Sequence, residues 1–227
     1  GNVMPRVANK MVVVMAGDHG VVEEGVSAAP QSVTPQMVHN FLNGGAAINV
    51  LARCAGAQVK VVDVGVADQT LRHPSLISRK VRPGTANMTK GPAMSREEAW
   101  QAIKIGADIA ESETNQGINL LATGEMGIGN TTPSSAILAA YSHTDLSRLV
   151  GPGVGLNDDG MQKKINAIEK ALQVNQPDAN DPIDVLSKVG GLEIAAMAGL
   201  ILGSAVCRVP VVIDGFISGA AALIAYK

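Results

Sequence analysis

Four short apolar runs, each closing on a glycine and an acid, constrain what this chain can fold into. They are KMVVVMAGDHG (10–20), VKVVDVGV (59–66), INLLATGEMG (118–127) and VPVVIDGF (209–216). β-Branched runs of this length that stop at a glycine turn read as buried strands feeding loops. Helical patterns lie between them, and strand–helix alternation builds a parallel sheet with helices on both faces. The chain has 227 residues, 46% hydrophobic and 17% charged, enough for a substantial core. Aromatics are only 2% while glycine numbers 25. Such a core rests on Val, Ile, Leu, Ala and Met, with backbones in close contact at glycines.

Several helix starts are marked. Thr34-Pro35 and Thr132-Pro133 each offer a capping hydroxyl before a proline. Ser95 with Glu98 forms a capping box for a helix from Arg96 to about Ser112. The pattern from Gln36 to Cys54 is helical, with Gly44-Gly45 able to split it. Asp158 or Asp159 can cap a helix through Leu172, Asp181-Pro182 starts one to Lys188, and an apolar helix follows from Leu192 to Cys207. The segment SRKVRPGTANM (78–88) has room for an extra strand and a loop. No repeat or low-complexity linker divides residues 1–227, which read as one domain.

Composition excludes some classes. The formal net charge is −2, and without a long basic run there is no nucleic-acid footprint. Cys54 and Cys207 make neither a zinc site nor a disulfide framework and read as reduced core thiols of a cytoplasmic protein. The apolar stretch 194–206 is too short to cross a membrane. The opening Gly-Asn-Val-Met-Pro shows no signal peptide, and the chain stops inside an apolar helical pattern, SGAAALIAYK, which reads as a trimmed or incomplete chain.

In an open parallel sheet, ligands bind beyond the carboxyl ends of the strands. That edge receives Asp18, His19, Asp63, Glu125 and Asp214. The stretch LATGEMGIGNTTPSSA (121–136) puts Gly124, Gly127 and Gly129 ahead of a helix start with Asn130, Thr131 and Thr132. Free N–H groups and a partial positive charge at a helix N-terminus suit a phosphate. A tight strand–helix turn with nothing bound reads equally well, since neither a Walker loop nor a dinucleotide fingerprint is present. Asp18-His19 sits in a long loop (16–34), where His19 reads as a structural hydrogen bonder of the loop or an acid–base group. Glu23 and Glu24 read as solvated, and Asp63 and Asp214 as helix caps or ligand contacts. The four histidines, His19, His39, His73 and His143, show no metal-ligand spacing, so no metal is expected. Lys163 and Lys164 read as a solvated pair, or as a reach towards phosphate; Glu193 reads as a carboxylate balancing a helix dipole.

Together, AGDHGV (16–21), GGAAINVLAR (44–53), GEMGIGNTTPSSA (124–136), DPIDVLSKVGGLEIAAMAG (181–199) and PVVIDGFISGAAAL (210–223) resemble the nicotinate-nucleotide:dimethylbenzimidazole phosphoribosyltransferases. The resemblance covers nearly the whole chain with its motifs in family order. It implies a Rossmann-like large domain, a small helical domain built from both chain ends and largely absent here, and a homodimer. It implies transfer of the phosphoribosyl group of nicotinate mononucleotide to 5,6-dimethylbenzimidazole, giving α-ribazole 5′-phosphate and nicotinate in cobalamin synthesis, with no cofactor. Residue by residue, it implies that Glu125 is the active-site glutamate, that Gly127 lies at the mononucleotide, and that Lys164 is the phosphate-side lysine. The segment from Ala28 to Met37 corresponds to the base pocket, with Ala29 and Met37 where some relatives carry polar groups. Pro152 and Val154 replace a common Arg and Thr. The family's general base, a glutamate in a Gly-Glu-Gly-type motif near the C-terminus, is not among these residues, so the chain alone is expected to have little or no transferase activity. Two alternatives stay open: a non-catalytic nucleotide-binding domain, and a related transferase acting on phenolic or purine-type bases.

Overall fold

The structure is a computed structural model that describes residues 7–142, 144–153 and 155–227. His143 and Val154 lie outside the described residues, as does the N-terminal stretch considered above for a signal peptide. Strands β1 (Lys10–Gly17), β2 (Ala57–Gly65), β3 (Leu76–Ser78), β4 (Leu120–Met126) and β5 (Val211–Val212) form one sheet in the order β3-β2-β1-β4-β5. Every pairing is parallel. The strand order reverses direction between β1 and β4, which makes their carboxyl ends the crevice of the sheet.

Alternation along the strands sorts the two faces. Val13, Met15, Val62 and Val64 join the larger core, with α3 (Arg96–Asn115), α7 (Pro182–Val189), α8 (Leu192–Val206) and α9 (Phe216–Tyr226). Val14, Ala16 and Val61 face the smaller cluster, with Val38, Phe41 and Leu42 of α1 (Val33–Leu42). On that side α2 (Ala47–Ala55) also packs against β2. The remaining helices are α4 (Thr131–Tyr141), α5 (Leu146–Leu149) and α6 (Asp158–Asn175).

The strands and most helices lie where the apolar pattern puts them. Gly44-Gly45 falls between α1 and α2, and Ser95 and Glu98 form their capping box reciprocally. Three details differ. Neither Thr-Pro pair caps a helix: Ser32 and Asn130 occupy the cap positions, and Thr34 and Thr132 lie inside the first turn. The Thr34 hydroxyl accepts from the Ile128 N–H at 3.1 Å, a contact across the sheet edge that local spacing cannot show. At α6 the cap is Asn157, whose side chain accepts from Gly160 N–H at 2.9 Å, in place of Asp158 or Asp159.

The extra strand ends at Ser78, earlier than expected. Beyond it the chain runs along the sheet edge, where amides of Arg79, Val81, Gly84 and Thr85 donate to carbonyls of Asp63, Val64, Gly65 and Asp18. The fourth apolar run yields only two strand residues. As an edge strand β5 has one partner, and Gly215 at φ 90 turns the chain away. The cysteines are not core thiols, since Cys54 is exposed and Cys207 half-buried. No helix among the described residues is long and apolar enough to cross a membrane.

Helices α3 and α8 touch backbone to backbone. A Cβ at Gly106 would overlap the Ala196 carbonyl, and one at Gly199 would overlap that of Ile103. Gly106→Ala is therefore expected to lower stability by about 1–3 kcal/mol through overpacking. Urea unfolding measures this against Gly219→Ala, where a Cβ meets nothing within 4 Å and no stability is lost.

Candidate active site

At the carboxyl end of β1 the chain turns through Asp18 and His19, each 1% exposed. His19 Nε2 lies 2.7 Å from Glu193 Oε1, contributed by the first turn of α8. Glu193 is fully buried. Glycines make the room: a Cβ at Gly127 would stand 3.0 Å from His19 Nε2, and one at Gly191 would stand 2.5 Å from His19 Cε1. His19 Nδ1, Glu193 Oε2 and Asp18 Oδ1 are buried without hydrogen-bond partners among the described residues.

Burial works against a charged His19, yet Glu193, supported by Asp18 and Glu125, outweighs it and raises the imidazole pKa. Asp18 is raised by burial, against the Ala67 amide that donates to its Oδ2 at 2.8 Å. Glu125, half-buried at the end of β4, is held by the Asn130 side-chain amide. Burial raises its pKa, the Glu193 carboxylate adds to this, and Asn130 and His19 oppose it. Three carboxylates and one imidazole thus share the crevice between β1 and β4.

A second polar centre lies at the N-terminal turn of α4. Lys164, on α6, is fully buried and donates to Thr131 Oγ1 at 2.6 Å and to the Gly151 carbonyl at 3.0 Å. Both acceptors are neutral, and burial pushes the ammonium pKa down to about 8. Beside it opens a hollow of about 370 Å³ lined by Thr131, Arg148, Gly151, Gly153 and Phe216. A smaller cavity of about 40 Å³ lies beneath Gly127, Asn130 and Thr131. A lysine, an exposed arginine and a helix N-terminus around one hollow can receive an anion. Among the described residues no group of three or more His, Cys, Asp or Glu could hold a metal.

A family model described as "Phosphoribosyltransferase" matches residues 1–227. The chain belongs to this family. It is 60% identical over 225 residues to the nicotinate-nucleotide–dimethylbenzimidazole phosphoribosyltransferase of Geotalea uraniireducens, covering 99% of this chain and 64% of that protein. It is 55% identical over 227 residues to the enzyme of the same name from Halalkalibacterium halodurans, covering 100% of this chain and 63% of that protein. A crystal structure of CobT from Thermus thermophilus superposes with a TM-score of 0.93 at 47% identity, covering 98% of this chain and 66% of that one. The chain thus spans about 64% of the length of the first of these relatives.

The residues singled out in the sequence divide between the two centres. Asp18, Glu125, Gly127 and Asn130 meet in the crevice, while Thr131 and Lys164 meet in the second centre. Thr132 is buried beside them in the first turn of α4, its hydroxyl without a partner among the described residues. Gly124 is not a loop residue; it pairs with Val14 inside β4, and a Cβ there would lie 3.1 Å from Val14 Cγ2. Its backbone is used by the sheet. Ala29 and Met37 are half-buried, on the loop before α1 and on α1 itself. Asp214 is exposed beyond β5, and no hydrogen bond or ion pair joins it to the crevice among the described residues.

Asp63 is neither helix cap nor crevice group; it accepts from Val66 N–H at 2.9 Å and pairs with Lys80 at 3.0 Å. Glu23 is exposed and pairs with Lys90, but Glu24 is partly buried and accepts from Thr89 and Asn87. The two lysines separate, Lys163 exposed and Lys164 buried. Glu193 is the residue the sequence undervalued, because a helix-dipole reading cannot supply its partner 174 positions away. Arg148 and Thr34 had no local signal beyond lying near a glycine-rich turn and a helix start.

Lys164 gives a pH-dependent stability. Its folded pKa of about 8 lies below the 10.5 of a free lysine, so between these values the unfolded chain binds a proton that the folded chain has released. Stability is expected to rise with pH across that window. Urea unfolding at pH 8 and pH 10 shows the rise in the wild type and its loss in Lys164→Met.

Proposed function

We propose that this chain carries the donor site of a phosphoribosyl transfer from nicotinate mononucleotide to 5,6-dimethylbenzimidazole, giving α-ribazole 5′-phosphate and nicotinate. The observation that carries the reading is the spacing of two unlike centres along one loop, 125–131. An acid cluster lies at its strand end, and a buried lysine with only neutral partners lies at its helix end. The names of the relatives supply the substrates.

In this reading the phosphate takes the hollow beside Thr131, over Lys164 and Arg148. The ribose then lies along the loop at Gly127, between the phosphate hollow and Glu125. Departure of nicotinate leaves positive charge at the anomeric carbon, and the Glu125 carboxylate faces that charge. Asn130 holds Glu125 in place. Attack by the benzimidazole nitrogen requires a base for the ring proton. Ala29 and Met37 line the acceptor side, and Asp18 and Thr132 bound the donor site. Residues 1–227 act as one large α/β domain of a cytoplasmic enzyme. The protein pairs as a homodimer, for which the exposed apolar strip of Trp100, Leu202 and Val206 on α3 and α8 offers a face.

Calorimetry with nicotinate mononucleotide tests the donor site directly. Binding that weakens as pH rises above about 8, and that loses this pH dependence in Lys164→Met, is the expected result; no binding to the wild type sinks the reading. For the transfer itself, nicotinate release in the presence of dimethylbenzimidazole is followed. In the full-length enzyme, Glu125→Gln is expected to cut kcat by about 10²–10³-fold, the scale of a lost group facing transition-state charge.

A further inference from the structure

A transfer between two substrates needs them in register, and one buried hydroxyl joins the two parts of the chain assigned to them above. Thr34, fully buried in the first turn of α1, accepts from the Ile128 amide at 3.1 Å. Ile128 stands at the middle of the glycine loop that follows Glu125 and Gly127. Met37 lies one turn further along α1, and Ala29 on the segment that leads into it. That segment is tied at a second point, where Gln31 donates to the His19 carbonyl at 3.2 Å. Gln31 thus holds the acceptor side to the end of β1, and Thr34 holds it to the loop after β4.

The loop around Ile128 has little slack. A Cβ at Gly127 would stand 2.2 Å from the Gly17 carbonyl oxygen, and one at Gly129 would stand 2.6 Å from Val22 Cγ2. Ile128 is itself buried, and a buried amide needs an acceptor inside the protein. Thr34 supplies it. Helix capping does not account for this hydroxyl, because Ser32 holds the cap position of α1. A hydroxyl that accepts keeps its own proton to donate. Asp18 Oδ1 is buried without a hydrogen-bond partner among the described residues. Burial raises the pKa of that carboxyl, and the Thr34 hydroxyl is among the groups that oppose the rise. Thr34 is therefore oriented from two sides, by an amide and by an acid. Serine keeps both relations; valine, with the outline of threonine, keeps neither.

We propose that Thr34 is a positioning residue for the transfer: its hydroxyl fixes the donor loop against the acceptor helix, so that Glu125 and Gly127 stand in register with a base held along α1. This rests on the donor and acceptor placement proposed above, because it assigns a purpose to that register. Thr34 touches no reacting atom; it acts through the Ile128 amide. Lys164 is held separately, by Thr131 and the Gly151 carbonyl, so the phosphate end of the donor site does not depend on Thr34.

Two readouts test it. In this chain without ligand, hydrogen exchange followed by NMR reads the Ile128 amide in the wild type, Thr34→Val and Thr34→Ser. The wild-type amide is expected to exchange as slowly as those of β1; exchange at the rate of an exposed amide overturns the proposal. Thr34→Val is expected to speed the exchange about tenfold, the scale of one net hydrogen bond, while Thr34→Ser stays within about threefold of the wild type. An Ile128 amide unmoved by Thr34→Val overturns the tie. In the full-length enzyme, kcat is measured per donor site titrated by calorimetry. Thr34→Val is expected to lower it by roughly 10–100-fold, the scale of a small misplacement of reacting groups. The Kd for nicotinate mononucleotide stays at the wild-type value, and Thr34→Ser restores kcat. A merely structural role would lower the number of titrated sites and leave kcat per site unchanged; that result overturns the proposal. Should Thr34→Val fail to fold, Thr34→Ala takes its place with the same expected readouts, and the wild-type exchange still decides the contact. Failure of the wild type to bind nicotinate mononucleotide overturns the donor-site reading, while the Ile128 exchange still decides the tie between loop and helix.

Discussion

The crevice depends on how closely α8 approaches α3. Because Gly106 and Gly199 carry no side chains, the two helices meet at backbone distance and α8 lies flat under the sheet. That seating puts the first turn of α8 at the carboxyl edge of β1, where Glu193 reaches His19. A core almost without aromatics suits such an arrangement, since its thickness comes from Val, Ile, Ala and Met. A larger residue at either glycine would lift α8 and draw Glu193 out of the crevice.

Much of the fold was legible because strand and helix periods are local. The runs ending in Gly and an acid gave β1, β2 and β4, and paired glycines marked the breaks before α2 and α8. Legibility failed where a side chain had two possible partners. Thr34 looks like a cap by spacing, but its hydroxyl serves the Ile128 amide 94 residues on. Gly124 looks like loop flexibility, but it exists to admit Val14. The site followed the same division. Glu125, Gly127 and the Thr131 turn share one loop and could be placed together. Glu193 and Arg148 needed the tertiary arrangement, and Asp214, exposed beyond the two-residue β5, makes no hydrogen bond or ion pair to the crevice among the described residues.

The two polar centres use opposite strategies. In the crevice, acids crowd one imidazole, so the charge state of each group depends on the others. At the α4 terminus a lysine pairs with no acid among the described residues, and its partners are a hydroxyl and a carbonyl. The short segment 125–131 touches both, giving Glu125 to the first and Thr131 to the second, and keeps cationic and anionic chemistry apart without a domain boundary between them.

The isolation of Lys164 also bears on discrimination between ligands. A buried ammonium with neutral partners is under-compensated. A ligand with a doubly charged phosphate relieves that cost, whereas the same ligand without its phosphate leaves it standing. In the donor site proposed above, a preference for a nucleotide over its nucleoside would exceed the strength of one ion pair formed in water, because part of it would be the relief of a cost already present in the folded chain. Under that proposal, selectivity for the phosphate is stored in the folded chain before any ligand arrives.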